Sequence, residues 1–339
     1  MNNHKNILIA RTDRIGDVVL TIPIASIIKK HFPQSRVTFL VRDYTKDLLS
    51  NNKFIDDVLI WNDNDSFSDS VKKIKSHNFD TVFIVNPSFK IALIFFMIGI
   101  KTRISTGYRF YSFLFTHKIF EHRKYGTKHE LIHNVEMLKE IGISENIDFS
   151  NVQFSIQSEL ESEQKVRSFL NRYNFKNQNK TVIIHPGSGG SAVDFPISHQ
   201  KELISKLAHE LNINLILTGS KEERSLCESL IENKKIINAA GEFNLKELIS
   251  LISIADIFVA NSTGPLHIAA ALGKYVVGFY PKVASCSETR WGPFTEKKKV
   301  FIPNTECKNC TIKQCQETNC MSSINVDDVF RGIKNFLNK

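Results

Sequence analysis

The chain has 339 residues, of which 42% are hydrophobic and 23% charged. That length exceeds what one hydrophobic core usually organises, and the balance is ordinary for a globular protein, which argues against disorder and fibrous classes. A formal charge of +9 favours anionic partners such as phosphorylated small molecules or an anionic membrane surface. The sequence has no long basic block, aromatic-interleaved basic ribbon, zinc-finger or RNP pattern, so nucleic acid is not an expected partner.

The N-terminus enters a strand-like run almost at once, leaving no room for a signal peptide, and a cytoplasmic location is expected. Ile7 to Ala10 reads as a strand, and Val18 to His31 carries apolar residues at helical spacing until Pro33. Between them lies Arg11-Thr-Asp-Arg-Ile-Gly-Asp17. Gly16 permits a tight turn there, and Asp17 either caps the helix or serves as a general base for an acceptor hydroxyl. Strands at 37–41, 58–61, 81–85 and 102–105 alternate with helical segments near 44–51, 67–77 and 88–99. This alternation implies βαβ crossovers and a parallel sheet covered on both faces.

The most apolar stretch, Ile91 to Ile100, has about half the length that a membrane-spanning helix needs, and reads as a buried helix. The residues after it include Lys101, Arg103, Tyr108, Arg109, Phe110, Tyr111 and Phe113, a basic and aromatic set able to touch membrane. Residues 108–155 are less regular. Ser158 and Glu161 read as a capping box opening a helix to about Tyr173, and 174–180 read as a linker.

A second series has strands at 181–185, 214–217, 235–237, 257–260 and 275–279, with helices at 198–211, 222–232, 245–254 and 265–272. The expected organisation is therefore α/β, with an N-terminal doubly wound domain at 1–175 and a second at 176–325. A terminal amphipathic helix at 326–339 is expected to pack back on the first. The strand C-termini of the two domains are expected to face a shared cleft.

Two loops of the second series suit an anion. In His185-Pro-Gly-Ser-Gly-Gly190, the residues Gly187, Ser188, Gly189 and Gly190 can turn several backbone N–H groups toward one phosphate, or form a simple turn. The loop is neither a Walker nor a dinucleotide fingerprint. In Asn261-Ser-Thr-Gly-Pro-Leu-His267, Ser262 or Thr263 can cap a helix that Gly264 and Pro265 open and Gly273 ends, which puts unpaired N–H groups and a positive dipole at the loop. His267 in the first turn either donates to a phosphate oxygen or packs as a partly buried histidine.

Cys307, Cys310, Cys315 and Cys320 form a tight set. In a reducing compartment such clustering points to a structural zinc or iron, or to a reduced cysteine-rich loop.

The patterns R-x-D-x-I-G-D-x-x-x-T-x-P, H-P-G-S-G-G-S-A, N-S-T-G-P-L-H-I-A-A-A-L-G and Arg290-Trp-Gly-Pro293 occur in this order. Through them the sequence resembles glycosyltransferase family 9, the ADP-heptose:lipopolysaccharide heptosyltransferases, over most of its length. The resemblance implies a GT-B fold of two Rossmann-like domains. It also implies inverting transfer of heptose from ADP-heptose to a lipopolysaccharide core acceptor (lipid A/Kdo or heptose), with no catalytic cofactor and Asp17 as base.

Carried over by motif, the donor site uses Gly187 to Gly190, one of Glu222 and Glu223 near the ribose, and Phe243 beside the adenine. Ser262, Thr263, Gly264, Pro265 and His267 would surround the diphosphate. Arg14, Arg103 and Arg109 are candidates for phosphates or carboxylates of the lipid-linked oligosaccharide acceptor, with surface solvation as their alternative. Such an acceptor implies peripheral contact with the cytoplasmic face of the inner membrane. One departure stands out: where the family often has lysine after the glycine loop, this chain has Val193. Losing that cation leaves open a transferase for another nucleotide sugar, or a catalytically silent nucleotide-sugar binder, although a retained Asp17 argues against the latter.

Overall fold

A computed structural model of the chain describes residues 4–173, 175–306 and 310–338. The chain divides into two compact units. The first runs up to Arg123 and resumes over Glu130–Ile156; the second comprises Lys124–His129 and the chain from Gln157 onward.

The first unit holds strands β1 (Asn6–Ala10), β2 (Arg36–Arg42), β3 (Asp57–Trp61), β4 (Thr81–Ile84), β5 (Thr102–Thr106) and β6 (His117–Ile119), in the order β3-β2-β1-β4-β5-β6. Every neighbouring pair is parallel. The central strands read as near-continuous apolar runs and are buried on both faces, as a sheet covered by helices requires. One face packs Leu8, Val82 and Ile84 against Ile91, Ile94 and Phe95 of the helix Phe89–Met97. Each such fully buried side chain contributes roughly 1.5–3 kcal/mol.

The second unit repeats the plan with β7 (Thr181–His185), β8 (Asn214–Leu217), β9 (Ile236–Asn238), β10 (Ile257–Asn261), β11 (Tyr275–Phe279) and β12 (Lys298–Phe301), ordered β12-β11-β10-β7-β8-β9 and parallel throughout. In each sheet the chain winds outward from one central strand and then returns to that strand's other side. The switch points therefore lie between β1 and β4, and between β7 and β10, where open α/β sheets bind ligands beyond their strand C-termini.

Several local expectations change. The helix expected over 18–31 splits into Ile15–Val19 and Pro23–His31, because Pro23 has no N–H to continue the ladder. Residues 43–49 form a 3-10 turn. The helix expected from Ser158 becomes Leu160–Leu170, and Ser158 bonds the Glu163 carboxylate, so the expected capping box does not form. That helix packs on Leu245–Ser253, which places the division of the chain after Ile156, whereas the sequence reading put it at 175. The terminal helix Val326–Leu337 is capped by Asn325 and buries Val326, Val329, Phe330 and Ile333 in the second unit's own core, against Ile197–Glu210. This differs from the expectation that it serves the first domain.

Candidate functional site

In the first unit, the loop after β1 leads into the short helix Ile15–Val19, whose third residue is Asp17. The helix has no side-chain cap, so Asp17 is not a capping residue. Its carboxylate is taken by Arg11, which is 3% exposed and also lies 2.8 Å from Asp13 and 3.6 Å from Glu130. Burial opposes the Arg11 charge, but Asp17, Asp13 and Glu130 outweigh it and hold the guanidinium above its ordinary pKa. Burial pushes the Asp13 carboxyl up to about 6, against the pull of Arg11 and with the push of Asp17.

Glu130 is buried too, and Arg123 bonds it at 2.5 Å while reaching Asn134 at 2.8 Å. Asn134 then donates to Leu20 and Thr21 beside the Asp17 helix. The loop itself is pinned from the β2 side by Arg42 Nε on the Thr12 carbonyl (2.7 Å) and Tyr44 OH on the Asp13 carbonyl (2.8 Å). Arg11, itself fixed by Asp13 and Glu130, holds the Asp17 carboxylate in one orientation, which is what a general base needs.

Of the three acceptor candidates, Arg14 is exposed and belongs to this loop as the residue preceding the helix. Arg103 lies on β5 and spends its guanidinium on the carbonyls of Leu114 and Ile100, while Arg109 is exposed on the loop that follows.

In the second unit, the two motif loops leave β7 and β10 on either side of the switch point. Asn261, the last residue of β10, ties them together: its amide donates to the Pro186 carbonyl (2.6 Å) and its oxygen accepts from the Phe195 N–H (2.8 Å). Gln200 grips the same two ends through the carbonyls of Pro186 and Phe195. The loop between is thus clamped at both ends. Gly189 and Gly190 adopt φ values of 56° and 74°, the left-handed region that side chains resist. At Gly187 a Cβ would stand 1.8 Å from the Glu223 carboxylate, so only glycine lets that acid lie against the loop.

Glu223 is fixed by the Ser220 N–H at 2.8 Å and lies 3.9 Å from His185, whereas Glu222 is exposed. The structure therefore brings Glu223 to the glycine loop and leaves Glu222 outside it. Val193 is buried in the core of the second unit, so the position where family members often carry lysine is apolar in its surroundings as well as in its side chain.

The helix Gly264–Ala271 starts from Thr263 in extended conformation with no side-chain cap, and Pro265 sits in its first turn. Ser262, Thr263 and His267 are all buried. Burial, with His129 nearby, pushes the His267 imidazole down to about 3, so it is neutral at physiological pH. Its Nδ1 is buried without a hydrogen-bond partner among the described residues. Phe243 directly precedes the Asn244–Glu247 capping box and meets Phe169 edge-on at 4.9 Å. The Arg290-Trp-Gly-Pro293 motif is tied to the sheet by buried Tyr280, which donates to the Trp291 carbonyl at 2.8 Å.

The cysteine set requires a correction. Cys315 and Cys320 are joined as a disulfide and buried in the second unit's core, so two of the four expected thiolate ligands are bonded to each other. The short helix Ile312–Glu317 and the turn after it bring their Cα atoms to 5.6 Å, close enough for that bond. Cys310 is half-buried, and Cys307 lies outside the described residues.

Two Rossmann-like units, each with a six-stranded parallel sheet and its motif loops at the switch point, make up the GT-B fold. Within that fold the chain belongs to glycosyltransferase family 9 (heptosyltransferase), whose model matches residues 69–321. A Haemophilus influenzae protein described as a glycosyltransferase is 28% identical over 309 residues, covering 88% of this chain and 89% of the relative. The lipopolysaccharide core heptosyltransferase OpsX of the same species is 27% identical, covering 81% of this chain and 79% of its own. Among solved structures, Escherichia coli ADP-heptose lipopolysaccharide heptosyltransferase II superposes with a TM-score of 0.79 at 17% identity, over 98% of both chains.

Sequence reasoning placed Arg11, Asp13 and Asn261 inside motifs without giving them work, and missed Glu130 and Gln200. Glu130 stands 119 residues from Arg11 in a stretch that reads as irregular, and no local spacing links them.

Proposed function

We propose that the chain transfers heptose from ADP-heptose to a lipid-linked lipopolysaccharide core acceptor with inversion. Asp17 takes the proton of the attacking hydroxyl, the oxygen displaces at the anomeric carbon, and the nucleoside diphosphate leaves with its electron pair. Its charge is met by the N–H groups of Thr263 and Gly264 and of Gly187 to Gly190, with Ser262 beside them, Pro265 shaping the turn and His267 donating from a neutral ring. Glu223 is assigned to the ribose and Phe243 to the adenine, and exposed Arg14 is the strongest of the acceptor candidates. The observation that carries this reading is buried, neutral His267, whose Nδ1 lacks a partner among the described residues in the first turn of an uncapped helix. A buried polar atom calls for a partner, and at a helix N-terminus a phosphate oxygen supplies one.

The test is turnover with ADP-heptose against other nucleotide sugars on a solubilised core acceptor. Preference for ADP-heptose supports the reading. The apolar environment of Val193 favours one second reading, a different nucleotide sugar with the same chemistry, and preference for that donor would replace the first.

The same reading places the enzyme in the cytoplasm, against the inner-membrane leaflet that carries its acceptor. Among the described residues no helix is long and apolar enough to cross a membrane. For the cysteines, we propose that reduction of the Cys315–Cys320 bond frees a soft thiolate set, with Cys310 and Cys307, for one structural zinc or iron. Reduced protein should then carry about one metal per chain and melt higher than the stripped form. Equal melting of the two would reject this role.

A further inference from the structure

The helix Phe89–Met97 is apolar on nearly every side, Lys90 excepted, yet only one of its faces is covered. Ile91, Ala92, Ile94 and Phe95 lie on the sheet, whereas Phe89, Phe96 and Met97 are exposed. A helix that is apolar all round belongs in a core or in lipid, and a half-covered one has its remaining face unexplained. The chain after β5 adds exposed rings: Phe110, 83% exposed, and Phe113, 69%, precede β6, and Phe120, 64%, follows it. With Tyr108, the stretch 89–120 holds seven of the sixteen large hydrophobic residues exposed among the described residues.

These rings are held in place. Phe110 stacks on Phe89 at 5.9 Å, the Arg103 guanidinium lies 5.4 Å from the Phe96 ring, and Tyr108 meets Phe120 at 5.6 Å. At Gly107 a Cβ would fall 2.4 Å from the Phe120 ring, so glycine is what allows that ring to lie on the backbone.

The charge on this segment decides among possible occupants. Residues 81–120 contain no Asp or Glu but carry Lys90, Lys101, Arg103, Arg109 and Lys118, which is +5 of the chain's +9. A second copy docking through the same face would set these cations against themselves, which disfavours a two-fold dimer. An anionic bilayer is complementary in both respects: rings enter the boundary between headgroups and chains, and the exposed Lys101, Arg109 and Lys118 meet lipid phosphates.

We infer that the helix Phe89–Met97 and residues 107–120 form a lipid-docking face that seats the first unit on an anionic leaflet. The inference rests on the proposed lipid-linked acceptor for the reason such docking is useful, but not for the face itself.

The full chain should cosediment with vesicles of phosphatidylcholine mixed with phosphatidylglycerol far better than with phosphatidylcholine alone. Phe110→Ser with Phe113→Ser should lower that partitioning by about tenfold or more. Lys101→Gln with Lys118→Gln should lower it about tenfold or more on the anionic vesicles only, at roughly fivefold per charge. Both pairs are at exposed side chains, and unchanged melting temperatures and ADP binding confirm folding. Partitioning that ignores both pairs overturns the inference, as does a dimer seen by light scattering that the phenylalanine pair dissolves. Turnover on solubilised acceptor without vesicle binding rejects the face and leaves the transferase reading intact. Vesicle binding without turnover of any nucleotide sugar does the reverse.

Discussion

The two units present their switch points in opposite electrostatic styles. In the first, Arg11 and Arg123 are threaded among Asp13, Asp17 and Glu130, so the loop after β1 is a buried lattice of full charges. In the second, the loops after β7 and β10 are held by the neutral amides of Asn261 and Gln200 and present glycines, hydroxyls and an uncharged histidine, with the Glu223 carboxylate lying against the glycine loop. The contrast fits the two halves of a displacement. A base must be aimed, and a cation fixed at its flank does that. A departing diphosphate brings its own charge, and fixed N–H dipoles can meet it without the desolvation cost of burying a lysine.

Breaking the charged lattice should have the largest effect. Arg11→Met leaves three carboxylates without their common cation, and stability measured by denaturant titration should fall by about 3–5 kcal/mol. A loss below about 1 kcal/mol would mean that the network relaxes into solvent and does not hold Asp17. Adding Asp13→Asn to Arg11→Met should recover part of the loss, because one of the carboxylates stranded beside Arg11 is then neutral.

The neutral clamp should yield less. Asn261→Ala removes two buried hydrogen bonds, one donated to the Pro186 carbonyl and one accepted from the Phe195 N–H, and should cost about 2 kcal/mol of stability at roughly 1 kcal/mol each. It should also weaken ADP binding measured by calorimetry, since the glycine loop loses its fixed ends. Unchanged ADP affinity would detach the loop from the nucleotide.

In the pH dependence of stability the two units should have opposite signs. His267 titrates at about 3 when folded, against an ordinary 6.5, so the unfolded chain takes up the proton first. Its contribution is present above 6.5 and is lost as pH falls from there toward 3. Asp13 titrates at about 6 when folded, against 3.8, so the folded chain holds its proton longer. Its contribution is present below 3.8 and is lost as pH rises toward 6. His267→Gln should flatten the first slope and Asp13→Asn the second, in melting temperatures taken across that range. Slopes that survive both substitutions belong to other groups.

The neutral site was more legible in the sequence than the charged one. Glycines, a proline and a histidine within two short loops carry their geometry locally, so Gly187 to Gly190 and Thr263 to His267 stand out from spacing alone. Choosing Glu223 over Glu222 needed coordinates, because only the backbone decides which of two adjacent acids faces Gly187. The charged lattice depends on Glu130 and Arg123, which reach Arg11 through tertiary packing and leave no periodic signal. The strands were legible from their apolar runs except at the edges, where β6 and β12 are short and half-exposed and lack the pattern. The cysteines misled for a related reason: spacing marks sulfurs as neighbours but not whether they bond a metal or each other.

The central claim is that Asp17 is the base of a glycosyl transfer whose donor is held by the other unit. Asp17→Asn, assayed for transfer and for ADP affinity on the same preparation, tests it most directly. Transfer should fall by about 10²-fold or more while ADP affinity stays as it was. A loss of only a few-fold, or a parallel loss of ADP affinity, would contradict the assignment.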